Sequence, residues 1–96
     1  MSTYATFNGQ TIARSDDVVV VEGNHYFPVD DVRLGMLEAT SRRTLCPWKG
    51  IASYWSVEVD GVHAENAAWG YRRPSPLARR VKGRLAFDNS VAVHAG

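Results

Sequence analysis

The stretch S-Y-W-S-V-E-V-D-G-V-H-A-E-N-A-A-W-G-Y, residues 53–71, predicts the central hairpin of the fold. Asp60-Gly61 lies between two segments rich in β-branched and aromatic residues, which is a strong signal for a two-residue turn. With that turn, Val59 pairs with Val62, and an uninterrupted register pairs Trp55 with Asn66. Because side chains alternate along a strand, these residues share an apolar face that we expect on the core.

The opposite face of this hairpin is polar near the turn and aromatic further from it. Its side chains are Tyr54, Ser56, Glu58, His63 and Glu65, followed by Trp69 and Tyr71 if no bulge intervenes. Before residue 53 the first strand leads back to C-P-W-K-G, residues 46–50, roughly opposite residues 69–71. Segments 46–50 and 65–71 are therefore expected to meet at the open end of the hairpin.

Turn signals recur along the rest of the chain. Asn8-Gly9 separates two β-prone segments, and residues 17–22, D-V-V-V-V-E, are typical of a strand buried on both faces. Residues 31–38 predict one short helix, although Gly35 weakens it. Residues 84–94 predict a last hairpin around D-N-S. The sequence therefore predicts a mainly β single domain over residues 1–96, with seven or eight strands and one short helix.

Composition places the chain among ordinary globular proteins. The 96 residues are 45% hydrophobic and 22% charged, enough for one core. The longest apolar run, 18–21, is far below the roughly 20 residues of a membrane helix, and no signal peptide is evident. A single cysteine excludes an internal disulfide framework. We expect a cytoplasmic protein that does not associate with membranes.

Charge is unevenly distributed. Residues 1–41 carry six acids and two bases, a sum of −4, whereas residues 42–96 carry nine bases and four acids, a sum of +5. Six of these bases lie in segment 72–84, within a stretch from Asn66 to Phe87 that contains no acid. This basic block can bind phosphate or a polyanion, or it can be a solvated surface that balances the acidic half. Because aromatic residues do not interleave with it, nucleic acid is a disfavoured partner. The candidate phosphate-binding residues are Arg72, Arg73, Arg79 and Arg80.

Three residues could carry chemistry. The thiolate of Cys46 would be a nucleophile if Lys49 lowered its pKa, but a free cysteine is more often a small buried apolar residue. Lys49 and Glu65 could together fix a polar group of a ligand, with Glu65 accepting a proton, or they could form a partly exposed ion pair. Cys46, Lys49 and Glu65 are thus the candidate catalytic residues.

Aromatic and amide side chains near the same place could bind a ligand. Trp48 and Trp69 could form walls that reach solvent, while Trp55 is expected in the core. A buried Asn66 would satisfy backbone groups or recognise a ligand. The candidate ligand-binding residues are Trp48, Tyr54, Asn66, Trp69 and Tyr71.

Metal-binding spacings are absent from the sequence. It contains no C-x-x-C, no H-x-x-x-H and no clustered acidic motif, so we expect no zinc or other metal site. Phosphate-binding glycine loops of the Walker and dinucleotide types are also absent. The sequence therefore leaves any cofactor unknown.

Two motifs, C-P-W-K-G-x-A-S-Y and A-E-N-A-A-W-x-Y, resemble the bacterial family catalogued as domain of unknown function 427. The resemblance extends through most of the chain and implies a fold similar to the β-tent of zinc-binding and sulfoxide-reductase proteins. It implies no zinc here, because the cysteine pairs of those proteins are missing. The family also carries a nucleotidyltransferase label, which no motif in this chain supports. Residues that match the family pattern are Cys46, Pro47, Trp48, Lys49, Gly50, Tyr54, Glu65, Asn66, Trp69 and Tyr71.

The leading functional hypothesis is a small-ligand pocket where residues 46–50 meet residues 65–71. One alternative is a nucleotidyltransferase-like enzyme acting on a phosphate-bearing substrate. Another is a non-enzymatic binding module or homodimer that uses a strand edge or the basic segment 72–84. Whether the protein is an enzyme is left open by the sequence.

Overall fold

A computed structural model describes residues 2–95, which form two antiparallel sheets. The prediction of a mainly β protein is confirmed. The described strands are β1 (Thr3–Phe7), β2 (Gln10–Ser15), β3 (Val19–Val21), β4 (Asn24–Pro28), β5 (Leu37–Cys46), β6 (Gly50–Val59), β7 (Val62–Gly70), β8 (Arg84–Phe87) and β9 (Ala92–Ala95). The small sheet has the order β2-β1-β9, and the large sheet has the order β3-β4-β8-β7-β6-β5. No helical segment among these residues has the length and apolar character needed to cross a membrane.

Hairpin β6–β7 follows the predicted register near its turn and departs from it further away. Asp60 and Gly61 adopt positive φ angles of +50° and +82°, and Val59 pairs with Val62 as expected. Beyond the pairing of Val57 with Ala64, a β-bulge shifts the register, so Trp55 pairs with Ala68. The predicted pairing of Trp55 with Asn66 is therefore wrong. The bulge adds unpaired residues to β7 and moves Asn66 off the apolar face.

Helical structure is limited to 3-10 segments in the described residues: Val29–Asp31, Leu34–Met36 and Pro76–Val81. The segment 31–38 was expected to hold one short helix, yet only a single 3-10 turn forms within it before β5 begins at Leu37. An isolated helix of eight residues is intrinsically marginal, and Gly35 lowers its stability further. Pairing of Leu37 with Val57 stabilises the extended alternative.

The predicted last hairpin over residues 84–94 is wrong. A turn does form, because Asp88 accepts a hydrogen bond from the backbone amide of Ser90 at 2.8 Å. The chain then leaves the large sheet, so β8 pairs with β4 and β7 while β9 pairs with β1. Val93 of β9 thereby packs against the main core from the small sheet.

The valine-rich segment also differs from the expectation of a strand buried on both faces. Its strand, β3, pairs only with β4 and forms an edge of the large sheet. Val20 is consequently 51% exposed. An edge strand lacks the second neighbour that would cover it.

The two faces of the large sheet have different coverings. We call the face against the small sheet the inner face; it carries Trp55, Val57 and Val59 and holds the main core. We call the other the outer face, where the 3-10 segment Pro76–Val81 covers Tyr26, Ala52 and Tyr71. Burial of side chains such as Phe27 and Val57 stabilises the fold by roughly 2 kcal/mol each. Residues of the outer face beyond this covered cluster are free to form a site.

Candidate functional site

Two β-bulges lie on opposite sides of strand β6. In β5, Ala39 pairs with Trp55 and Arg43 with Ser53, so residues 40–42 all face the single residue Tyr54. The second bulge, in β7, lies beside Ser56. Bulges bend strands and redirect side chains, and they are common next to functional sites. Here they open the outer face of the sheet around Tyr54.

A hydrogen bond joins the two bulges across β6. The hydroxyl of Thr40 donates to Oδ1 of Asn66 at 2.6 Å, and the backbone amide of Asn66 donates to the hydroxyl of Ser56 at 3.0 Å. Asn66 has a φ of +54°, a left-handed conformation that asparagine tolerates better than most residues. The amide side chain is therefore fixed at the rim of the outer face.

A cleft of about 590 Å³ lies between these bulges. Four of its lining residues were candidates from the sequence, and two were not. The cleft combines two aromatic rings, an amide, two carboxyl groups and one guanidinium. We call it the bulge cleft, and its residues are Arg42, Tyr54, Glu65, Asn66, Trp69 and Asp88.

The aromatic side chains of the bulge cleft are held in place. Tyr54 and Trp69 are cross-strand partners, so their side chains lie side by side on the outer face. The Tyr54 hydroxyl lies 3.0 Å from the Thr44 hydroxyl, and the Trp69 indole N–H donates to the Tyr26 hydroxyl at 3.3 Å. The guanidinium of Arg42 lies 5.0 Å from the centre of the Tyr54 ring. The rings therefore form a preorganised surface.

Lys49 lies elsewhere on the outer face, inside an aromatic cage. Its side chain is only 7% exposed and forms an ion pair with Glu22, whose side chain is 51% exposed. The ammonium lies 5.4 Å from the Trp48 ring and 5.5 Å from the Tyr71 ring. The Trp48 indole N–H donates to Glu22 at 3.4 Å. We call Glu22, Trp48, Lys49 and Tyr71 the lysine cluster.

Proton equilibria in the lysine cluster favour the charged pair. The hydrogen bond from Lys49 is the main cause of a lowered Glu22 pKa. Burial alone would lower the pKa of Lys49, but the Glu22 hydrogen bond and the nearby Tyr26 and Tyr71 hydroxyls outweigh it and raise that pKa. Burial raises the pKa of Tyr71. At neutral pH, Lys49 is therefore an ammonium, which is neither a nucleophile nor a general base.

The turn that carries Lys49 is clamped by the segment after β7. The backbone amide of Ser75 donates to the Lys49 carbonyl at 2.9 Å, and its hydroxyl donates to the Trp48 carbonyl. Gly50 has a φ of +112°, and an added Cβ would lie 3.4 Å from the Arg73 carbonyl oxygen. Segment 46–50 was expected to meet segment 65–71. The Tyr71 ring does lie 5.5 Å from the Lys49 ammonium, but these backbone contacts are made with residues 73–75, because the β7 bulge shifts the register by two residues.

The candidate catalytic residues fall into separate groups. Among the described residues, the carboxylate paired with Lys49 is that of Glu22, whereas Glu65 is exposed and lines the bulge cleft. The free thiol of Cys46 is half-buried and packs against the outer-face cluster around Tyr26. The Lys49–Glu65 pair expected from the sequence is therefore replaced by Lys49–Glu22.

The four candidate phosphate-binding arginines also separate. Arg72 and Arg73 line a depression with Ile51 and Ser53, on the inner face. Arg79 and Arg80 are exposed on the 3-10 segment over the outer face. The basic block is thus divided between the two faces of the sheet.

Sequence reasoning missed Arg42 and Asp88 in the bulge cleft, Glu22 in the lysine cluster and Tyr26 beside that cluster. Arg42 reaches the cleft because of the β5 bulge, for which the sequence carries no strong signal. Asp88 lies at the cleft because its backbone amide donates a hydrogen bond to the Ala67 carbonyl at 2.8 Å. This bond joins segments that are distant in the sequence. No pattern in the sequence indicated that Glu22 would pair with Lys49, 27 residues later.

In residues 2–95, no group of three or more histidine, cysteine, aspartate or glutamate side chains is arranged to hold a metal ion. The arrangement of the bulge cleft instead offers aromatic faces, hydrogen-bond acceptors and one cation. A planar group that carries positive charge or N–H donors would match these surfaces chemically.

A model of the family described as "Domain of unknown function (DUF427)" matches residues 2–95. The match covers almost the whole chain, including both bulges and the lysine cluster. No curated protein matches the chain significantly.

Proposed function

We propose that this chain, which belongs to the family described as a domain of unknown function (DUF427), binds a small planar cation in the bulge cleft. The observation that carries the proposal is the side-by-side pair of Tyr54 and Trp69, flanked in one cleft by the carboxyl groups of Glu65 and Asp88. The volume of about 590 Å³ is within the roughly 300–1,000 Å³ range typical of small-molecule sites.

The charges of the bulge cleft support a cationic ligand. Two carboxylates and one guanidinium give the lining a formal charge of −1. The faces of tyrosine and tryptophan attract cations, worth about 0.5–2 kcal/mol depending on desolvation. Arg42 already occupies such a position over Tyr54, at 5.0 Å. A planar ligand cation would stack on Trp69 and be fixed by Glu65.

Binding, rather than a reaction, is the function that we propose. Lys49 is protonated at neutral pH and paired with Glu22, and Cys46 does not line the bulge cleft. We do not propose nucleotidyl transfer, because Arg72 and Arg73 line a depression on the opposite face of the sheet. Pairing of two copies along β5 is not proposed either, since its bulge interrupts the edge at residues 40–42.

Calorimetric titration with benzamidine, a planar cation, tests this proposal, with benzoate as the matched anion. We expect benzamidine to bind with a dissociation constant of about 1 mM, as is usual for so small a ligand. Glu65→Gln should weaken binding about 10-fold, because it removes a charge-assisted contact. Glu58→Gln, an exposed glutamate on the neighbouring strand, is the control. Equal binding of benzoate, or equal weakening by both variants, would refute the proposal.

A further inference from the structure

We propose a second site, on the inner face, that binds a phosphate monoester attached to a small apolar group. It occupies a depression of about 600 Å³ near the clamped turn. This proposal does not depend on the bulge cleft, because the two share no lining residue. The lining residues are Gly50, Ile51, Ser53, Arg72, Arg73 and Ser75.

Two guanidinium groups supply the charge of this site. Consecutive side chains of a strand point in opposite directions, but the chain bends at residues 72–73, so both Arg72 and Arg73 line the depression. Within the part of the chain that the structure describes, neither arginine forms an ion pair, and no acidic residue lines the depression. A charge of +2 matches a phosphate monoester, which carries about −1.5 to −2 at pH 7.

Ser53 supplies a hydroxyl on the floor of the depression. The residue is only 7% exposed, but no fully buried side-chain oxygen or nitrogen in residues 2–95 lacks a partner, so the Ser53 hydroxyl is open to the depression. A phosphate oxygen in the depression would accept a hydrogen bond from this hydroxyl.

Contacts around the depression restrain the segment that carries the two arginines. Trp55 lies beneath Arg72, with its ring centre 5.7 Å from the guanidinium carbon. The backbone amide of Ser75 is bonded to the Lys49 carbonyl, and the Arg73 carbonyl lies against Gly50. Because less conformational entropy is lost on binding, this preorganisation strengthens the site.

An apolar wall indicates that the ligand is more than inorganic phosphate. Ile51 is 59% exposed, and its cross-strand partner Leu45, beside the depression, is 74% exposed. A ring or alkyl group attached to the phosphate would cover Ile51 and remove apolar surface from water. Phenyl phosphate should therefore bind more tightly than inorganic phosphate.

Titration at low ionic strength with phenyl phosphate, inorganic phosphate and benzoate tests the second site. We expect phenyl phosphate to bind most tightly, with about 10-fold weaker binding in Arg73→Gln and about 5-fold weaker binding in Ser53→Ala. Arg79→Gln removes the same charge outside the depression and should leave affinity unchanged. Circular dichroism of each variant verifies the fold.

Three outcomes would overturn the proposal. Absence of phenyl phosphate binding would show that the depression is not a binding site for a phosphate monoester. Equal weakening by Arg73→Gln and Arg79→Gln would show diffuse attraction to a basic surface. Benzoate binding as tightly as phenyl phosphate would contradict the assignment to a phosphate group.

Discussion

The hydroxyl of Thr40 donates a hydrogen bond to Oδ1 of Asn66 at 2.6 Å, and this bond links two β-bulges that flank the same strand. Together they hold Arg42 and Asn66 on either side of Tyr54 and leave a cleft between them. The site is therefore a product of irregular pairing within a regular sheet.

The conformation of Asn66 gives a prediction for stability. Asn66→Ala loses the Thr40 hydrogen bond and places alanine at a φ of +54°, so we expect the free energy of unfolding to fall by about 1–3 kcal/mol. Asn66→Gly loses the same hydrogen bond without the backbone strain, so its free energy of unfolding should fall by less. Urea denaturation measures both variants. A glycine variant less stable than the alanine variant would contradict this view of the bulge.

The lysine cluster predicts the pH dependence of stability. The Lys49 hydrogen bond lowers the pKa of Glu22, so the pair stabilises the fold above the ordinary glutamate pKa, and this contribution disappears as pH falls through the lowered value. The pKa of Lys49 is raised, so its contribution is present below the ordinary lysine pKa and is lost as pH rises through the raised value.

We therefore expect Glu22→Gln to flatten the acidic limb of a plot of melting temperature against pH. Glu38→Gln, at an exposed glutamate without an ion pair in the described residues, is the control. If Glu22→Gln and the wild type lost stability in parallel between pH 5 and pH 2, the ion pair would not contribute as described.

Gly50 gives a prediction about the clamped turn. Its φ of +112° is outside the regions open to other residues, and a Cβ would lie 3.4 Å from the Arg73 carbonyl oxygen. Gly50→Ala should therefore reduce the free energy of unfolding by about 1–3 kcal/mol. Gly35→Ala is a matched control, because it has ordinary φ and open space around it. Equal effects of the two substitutions in denaturant titrations would argue against the clamp.

The position of Cys46 gives a prediction about function. Its thiol packs against the outer-face cluster and does not line the bulge cleft. Cys46→Ser should therefore leave the affinity for benzamidine unchanged within about 2-fold, while the buried hydroxyl lowers stability by about 1–2 kcal/mol. Loss of benzamidine binding in a folded Cys46→Ser variant would place the thiol in the site.

Local signals in the sequence were sufficient for the turns. Asn8-Gly9 and Asp60-Gly61 both adopt positive φ angles and close two-residue hairpins, because residues at those positions have few alternatives. The alternation of apolar residues next to Asp60-Gly61 correctly placed Val57 and Val59 on the core, whereas Val62 of the same predicted face is 46% exposed. The uninterrupted register placed segment 46–50 beside segment 65–71, whereas the backbone contacts of that turn reach residues 73–75 because of the β7 bulge.

Contacts between segments distant in the chain could not be predicted from the sequence. Trp55 pairs with Ala68 because a bulge intervenes. The residues around Asn66 carry no sequence signal that predicts this bulge. Glu22 meets Lys49 because the turn between β3 and β4 lies beside the turn between β5 and β6, 27 residues later. Strand β9 was expected to pair with β8, but it pairs with β1 in the small sheet. The choice of partner depends on competition among strands, which a local sequence pattern does not encode.

The indole N–H resonance of Trp69 provides the most direct test of ligand binding in the bulge cleft. In a titration followed by ¹H–¹⁵N correlation spectra, benzamidine should shift the Trp69 indole signal and saturate at a dissociation constant of about 1 mM. The Trp48 and Trp55 indole signals should stay in place, and Glu65→Gln should move the midpoint about 10-fold higher. An unchanged Trp69 signal, or shifts confined to Trp48 or Trp55, would contradict the proposed site.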